Sequence, residues 1–312
     1  MPLTSGGTRG SEPPGHSDHR RPIPARLIVL DRAEALRKEL DRERAAGRTI
    51  GLVPTMGALH PGHAALIRRS AAECDVTAVT IFVNPLQFGV GEDLARYPRD
   101  LAGDLDLAGE AGAALVFAPL VDEMFPGGRA TTSVSVAGLS DGMEGARRPG
   151  HFDGVATVVA RLFNLAGPCR AYFGEKDFQQ LAVVRRMVSD LAMPVDVVGC
   201  RTVRDTDGVA WSSRNRYLSP GERAAATVLG RALAAATEAI VGGRERHAAE
   251  VRRVMARTVA TEPLALLDYA EVVDPDSLVP LDLVTPGAEV RLVLAAWLGA
   301  TRLIDNAPVT AP

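Results

Sequence analysis

Thr49-Ile50-Gly51-Leu52-Val53-Pro54-Thr55-Met56-Gly57-Ala58-Leu59-His60-Pro61-Gly62-His63, residues 49–63, is the stretch from which the rest of the chain can be read. Thr49–Val53 is a short apolar run of the kind that forms a buried strand. Pro61 suits the first position of a helix, where a missing N–H costs nothing, and the helical pattern runs on through Ala72. A strand that turns into a helix leaves free N–H groups and the positive end of the helix dipole at the turn, a place that favours an anion. His60 and His63 share one side of that first turn. Gly62 leaves the backbone open to a ligand. Taken alone, the pair also fits an ordinary polar helix start. A metal site is disfavoured, because no Cys or carboxylate stands at ligand spacing. Neither is this a Walker loop, since no Gly-Lys-Ser/Thr follows.

Outward from this turn, apolar runs alternate with amphipathic helical stretches. Helices are expected at 31–46, 61–72, 101–109, around 155–163 and at 178–191, and strands at 49–53, 76–83, 114–118, 171–173 and 195–203. That alternation predicts a Rossmann-like, doubly wound parallel sheet in residues 27–203. Ligands of such sheets bind beyond the carboxyl ends of the strands. From 204 to 312 the pattern changes to long helices at 220–242 and 246–261, followed by strand-like runs at 267–273 and 289–298. We expect a second, smaller α+β domain there, with a small mixed sheet. Residues 1–26, rich in Gly, Pro, Ser and Arg, read as a disordered tail.

The 312 residues are 46% hydrophobic but only 4% aromatic, so Leu, Val and Ala must fill the core. A net charge of -3 gives no ground for a nucleic-acid or membrane partner. No apolar run in the sequence approaches a membrane span. Cys74, Cys169 and Cys200 are odd in number and lie in or beside apolar segments, which points to buried thiols in a reducing cytoplasm.

Four polar clusters follow strand ends. Asn84-Pro85-Leu86-Gln87-Phe88-Gly89 is turn chemistry, with Gln87 aimed at the crevice. Arg147, Arg148 and His151 form a basic loop that either faces an anion or is solvated. Gly174-Glu175-Lys176-Asp177 opens a helix; Lys176 suits phosphate, Asp177 could cap the helix, and Gln180 lies one turn further on. Trp211-Ser212-Ser213-Arg214 offers two hydroxyls and a guanidinium, which is either a clamp on a polyphosphate or a polar interdomain linker. Asp207-Gly208 just before it is a hairpin-type turn.

The order of these clusters resembles the HIGH-type nucleotidylyltransferase superfamily and, within it, the pantoate–β-alanine ligase family. The matching blocks are PTMGALHPGH at 54–63, IFVNPLQFG at 81–89, YPRD at 97–100, RPGHFDGV at 148–155, YFGEKDFQQ at 172–180, VRDTDG at 203–208, SSRNRYLS at 212–219 and TRLIDN at 301–306. The resemblance implies an AMP-forming ligase. ATP and pantoate would give pantoyl adenylate and pyrophosphate, and β-alanine would then attack the adenylate to give pantothenate.

The same resemblance implies site residues. ATP would lie on Met56, Gly57, Ala58, Leu59, His60, Pro61, Gly62 and His63, with His63 as proton donor and His60 on the phosphates. Gly174, Glu175, Lys176 and Asp177 would hold the nucleotide, Lys176 on phosphate and Asp177 near the ribose. Val203 would meet adenine through its backbone, and Trp211, Ser212, Ser213 and Arg214 would close over ATP. Gln87 and Gln180 would bind pantoate, Gln87 also lying near β-alanine. His63, His60 and Lys176 are thus the expected catalytic groups. Mg2+ would shield the phosphates, with no ligand assignable. The family suggests a homodimer, for which the apolar 76–83 strand offers an interface. Two features depart from the family pattern: Trp211 stands where Met usually opens the serine loop, and the extension before Ile28 lies outside the pattern. Two alternatives are a nucleotidyl transferase for another acceptor, and a nucleotide-binding regulator without catalysis. Gln87 and Gln180 speak against a phosphorylated acceptor, and the intact His60, His63, Lys176 and Arg214 speak against the second.

Overall fold

A computed structural model describes residues 27–312 apart from Arg129 and Arg244; the expected tail at 1–26 lies outside the described residues. The strands are β1 (Ile28–Leu30), β2 (Ile50–Thr55), β3 (Val76–Ile81), β4 (Leu115–Phe117), β5 (Cys169–Gly174), β6 (Val195–Cys200), β7 (Ala265–Val273), β8 (Glu289–Leu298) and β9 (Thr301–Thr310). The helices are α1 (Ala33–Ala45), α2 (Pro61–Glu73), α3 (Leu101–Glu110), α4 (Val121–Met124), α5 (Glu144–Arg147), α6 (His151–Ala166), α7 (Phe178–Asp190), α8 (Pro220–Ala225), α9 (Thr227–Val241) and α10 (Ala248–Val259).

The first six strands make one parallel sheet in the order β1-β4-β3-β2-β5-β6. Its side chains alternate between two cores. Leu52, Ala78, Phe117 and Phe173 meet α1, α6 and α7 on one face. Val53, Val79, Val116 and Tyr172 meet α2 on the other. Covered on both faces, these strands need no polar alternation, which explains the unbroken apolar runs of the sequence. From β2 the chain moves through β3 and β4 to one side, then returns to lay β5 and β6 on the other. The crevice between the ends of β2 and β5 is therefore a topological switch point.

The C-terminal unit is antiparallel, not mixed: β7-β8-β9 pair in order, with α9 and α10 packed in its core. β9 continues through residues that the sequence reading treated only as a motif, and the edge strand β1 was not expected at all. The strand expected as an interface at 76–83 holds β3, which lies between β2 and β4 with Val76 to Thr80 buried, so those side chains are unavailable to a partner. Pro220–Val241 is, among the described residues, long and apolar enough to cross a membrane, which the sequence reading overlooked. Its Val228, Leu229, Ala232, Leu233, Ala236 and Ile240 are instead core residues of the C-terminal unit.

Candidate active site

His60 is the N-cap of α2, and its Nδ1 accepts the Gly62 N–H at 3.1 Å, with Pro61 in the first helical position. The acceptor role of Nδ1 leaves the proton on Nε2, the tautomer in which the free edge of the ring is a donor. One turn on, the His63 ring lies 4.0 Å from that of His60, centroid to centroid. Burial, then His63 and Lys176, push the His60 imidazole down to about 2. Burial, partly offset by Asp177, pushes His63 down to about 4. Both rings are thus neutral at neutral pH and donate through N–H, not as imidazolium. His63 Nδ1 is buried with no protein partner; of seven such side-chain atoms among the described residues it is the one whose residue lines this hollow.

The turn between β2 and α2 is held from below. Gly57 has φ +83°, and a Cβ there would come within 2.8 Å of Asp104. Ala58 also takes a left-handed conformation, at φ 51°. Asp104 sustains this bend by accepting the N–H groups of Ala58 at 3.0 Å and Leu59 at 2.6 Å. Burial raises the Asp104 carboxyl, and those two bonds pull against that rise. Ser213 Oγ donates to the Ala58 carbonyl at 3.2 Å, so the serine loop docks on the same turn.

Gln87 ends the turn after β3 and is held on every side. Asn84 Nδ2 donates to its Oε1 at 3.1 Å and to the Gly154 carbonyl at 3.0 Å. Gly154 is needed because a Cβ would sit 2.2 Å from the Leu86 carbonyl oxygen. The Gln87 carbonyl accepts from His151 Nδ1 at 2.8 Å and from Arg148 Nη2 at 3.2 Å. His151 must therefore carry its proton on Nδ1 and accept from Arg148 Nη1 at 3.1 Å through Nε2. Burial and Arg148 push His151 down to about 4. The anions that the basic loop meets are the protein's own carboxylates: Arg148 pairs with Glu92 at 2.6 Å, and the half-exposed Arg147 with Asp268 at 3.2 Å.

Beyond β5, Lys176 Nζ donates to Asp177 at 3.3 Å. Burial opposes ionisation of Asp177, but Lys176 outweighs it and holds the carboxyl low. Asp177 stands at the N-cap of α7 without making the capping bond expected of it. β6 stops at Cys200, earlier than expected, and so Arg201, Thr202 and Val203 reach the crevice. The Val203 carbonyl accepts the Trp211 N–H at 3.0 Å, and the Trp211 ring stacks beside His60 with centroids 6.3 Å apart. Ser212 Oγ accepts the Arg214 N–H, and Arg214 grips Asp93 at 3.2 and 3.0 Å. Burial opposes the Asp93 charge, yet Arg214 keeps that carboxyl low.

These elements enclose a cavity of about 200 Å³ at the switch point. Met56, His60, Gly62, His63, Gln87, Gly174, Lys176, Asp177, Gln180, Val203, Trp211, Ser212, Ser213 and Arg214 all line it. Gly57, Ala58, Leu59, Pro61 and Glu175 do not. Leu59 is core, and Glu175 pairs with Arg291 at 3.2 Å. Sequence reasoning missed Asp93 and Asp104, whose roles arise from distant partners, and Tyr97, which lines the cavity. No local pattern separates them from ordinary helix-start acids or a core aromatic.

A parallel sheet whose switch point carries a His-x-x-His helix start facing a serine–arginine loop defines a nucleotide-binding enzyme of the HIGH-type class. The sequence pattern of pantoate–β-alanine ligase matches residues 28–308, and the chain belongs to that family. A pantothenate synthetase from Heliobacterium modesticaldum is 55% identical over 266 residues, covering 85% of this chain and 93% of that one. The crystal structure of a pantothenate synthetase from Thermus thermophilus is similar at 51% identity and a TM-score of 0.84, over 91% of this chain and 99% of that one. A pantoate–β-alanine ligase from Francisella tularensis, complexed with βγ-ATP and β-alanine, is 29% identical with a TM-score of 0.72, over 90% and 97%.

Proposed function

We propose that the 200 Å³ cavity is where ATP and pantoate are joined as pantoyl adenylate and where β-alanine then displaces AMP, giving pantothenate. The observation that carries this reading is the convergence of His60, His63, Gln87, Lys176, Gln180, Ser212 and Arg214 on one hollow, though they come from distant parts of the chain. In it the neutral Gln87 and Gln180 hold the hydroxyls and carboxylate of pantoate without neutralising the nucleophilic oxygen. That oxygen attacks the α-phosphorus and pyrophosphate leaves. The negative charge developing there is met by N–H donors of His60 and His63, by Lys176, and by Ser212, Ser213 and Arg214, which is electrostatic stabilisation of the transition state. Asp177 lies toward the ribose and the Val203 backbone toward adenine.

Among the described residues no three His, Cys, Asp or Glu side chains converge to hold an ion. In this reading Mg2+ arrives on ATP, bound by phosphate oxygens and water. We further assign residues 27–203 to nucleotide and pantoate binding and 204–312 to a smaller domain. A homodimer is part of this reading, with its interface away from β3. A cytoplasmic setting is supported by three free thiols. The test is AMP release from purified protein given ATP, magnesium, pantoate and β-alanine. The proposal predicts AMP formation dependent on β-alanine; no AMP, or AMP indifferent to β-alanine, refutes it.

A further inference from the structure

The block at 301–306 has no role in the cavity just described, yet its last residue reaches the element that carries Lys176. Asn306 lies within β9, opposite Val293 of β8, and is 5% exposed. Its Nδ2 donates to the Glu175 carbonyl at 2.9 Å and to the Lys176 carbonyl at 2.8 Å. Both partners are acceptors, so only the NH2 end of the amide can face them.

Those two carbonyls belong to the peptide planes on either side of the Lys176 Cα. A peptide unit is rigid, and a residue's direction is set by the two torsions between its flanking planes. One side chain from the C-terminal unit thus fixes both planes, and with them the direction in which the Lys176 side chain leaves the backbone. Asn306 is itself held: its N–H donates to Asp305 Oδ1 at 2.8 Å, and Arg204 grips both Asp305 oxygens at 2.6 and 2.9 Å. Arg291 steadies the same segment from β8, with its guanidinium 3.8 Å over the Phe178 ring and 3.2 Å from the Glu175 carboxylate.

We propose that Asn306 is a positioning residue for adenylation, acting across the two units by aiming Lys176 into the cavity, with Asp305 and Arg204 orienting it. This rests on the reading of Lys176 as a phosphate ligand. The nearly isosteric Asn306→Asp removes both donors and sets a carboxylate against two carbonyls. Misaiming a charged group by an ångström costs on the order of 10²-fold in rate.

The test is a cycle of variants in the full chain, followed by pantoate-dependent exchange of pyrophosphate into ATP with β-alanine omitted. Asn306→Asp is expected to lower the exchange rate on the order of 10²-fold and to leave the KM for pantoate unchanged. Placed in a Lys176→Ala background it is expected to cost nothing more, because residues acting as one unit are non-additive. A native rate in Asn306→Asp, or an equal further loss in the Lys176→Ala background, overturns the inference alone. A native rate in Lys176→Ala overturns the reading of Lys176 and takes the inference with it. Asn306→Ser, neutral and smaller, carries the same cycle if the Asp variant does not fold.

Discussion

Two hollows meet at Lys176 and Asp177, and they are built on opposite rules. The larger, about 440 Å³, lies between the parallel sheet and the C-terminal unit and is crowded with charge. Nearly all of that charge is spoken for. Arg302 binds Glu144 at 2.8 and 2.7 Å and Asp268 at 2.8 and 2.9 Å, Tyr269 donates to Glu144 at 2.9 Å, and Arg204 pairs with Asp305. The smaller hollow has less than half the volume, apolar walls of Val155, Val158, Val159 and Phe173, and two neutral imidazoles. One of those rings carries a buried nitrogen without a partner. Under the proposed function, size and charge density do not mark the chemistry. In the larger hollow paired ions hold two units together, whereas in the smaller one a ring nitrogen is left open to a bound molecule.

The comparison predicts that the two hollows fail in different ways. Arg302 is 15% exposed, and the Glu144 and Asp268 that it bridges are 9% and 15% exposed. Arg302→Ala leaves Glu144 with the Tyr269 hydroxyl and Asp268 with the half-exposed Arg147, and should cost about 3 kcal/mol of folding stability, seen as a lower urea midpoint. The rate per folded molecule should be unchanged. A large loss of rate at unchanged stability would place chemistry in the larger hollow and break the contrast.

His63→Ala should do the reverse. Nothing in the protein depends on its Nδ1, so the circular dichroism and urea midpoint should stay as they are. Adenylation should fall by about 10²–10³-fold, the loss typical of one transition-state donor. A near-native rate would remove His63 from the mechanism.

Acid sharpens the same point. In the unfolded chain a histidine titrates near 6.5, whereas His63 and His151 titrate at about 4 and His60 at about 2 in the folded state. Between about pH 6.5 and 4 the unfolded chain binds more protons, so stability is full above that range and falls as pH is lowered through it. Thermal melts should show this decline, and His151→Gln should lessen it. Adenylation should not fall as pH rises from about 6 to 8, since the imidazoles there are already neutral. A descending limb near 6.5 would mean that an imidazolium does the work.

The parallel sheet was legible because doubly covered strands write their burial into unbroken apolar runs, and the helix start at His60-Pro61 because proline and cap chemistry are local. The third C-terminal strand was not, since Arg302, Ile304 and Asn306 mix charge and amide with apolar residues for cross-unit bonds. The cavity lining was legible for side chains carried at strand ends. Asp93 and Asp104 were not: each acts on a partner more than forty residues away, Arg214 in one case and the 58–59 backbone in the other. The basic loop stayed open between an anion and solvent, because a sequence does not state which carboxylate will reach an arginine; here Glu92 and Asp268 do.

Trp211 offers the smallest expected effect and the finest division of the smaller hollow. Its backbone is fixed without its ring, by the N–H to Val203 and by the Ser212 turn that follows. The ring adds a flat face beside His60, at an interplanar angle of 21°. Aromatic contacts of this kind contribute about 0.5–1.5 kcal/mol, so Trp211→Met should raise the KM for ATP by about two- to tenfold and leave kcat alone. Trp211 and Trp297 are the two tryptophans of the chain, and Trp297 lines the larger hollow. Quenching of fluorescence by ATP should therefore vanish in Trp211→Met. If kcat falls as far as it does in His63→Ala, the ring holds His60 in its donating geometry and belongs with the histidines, not with the nucleotide.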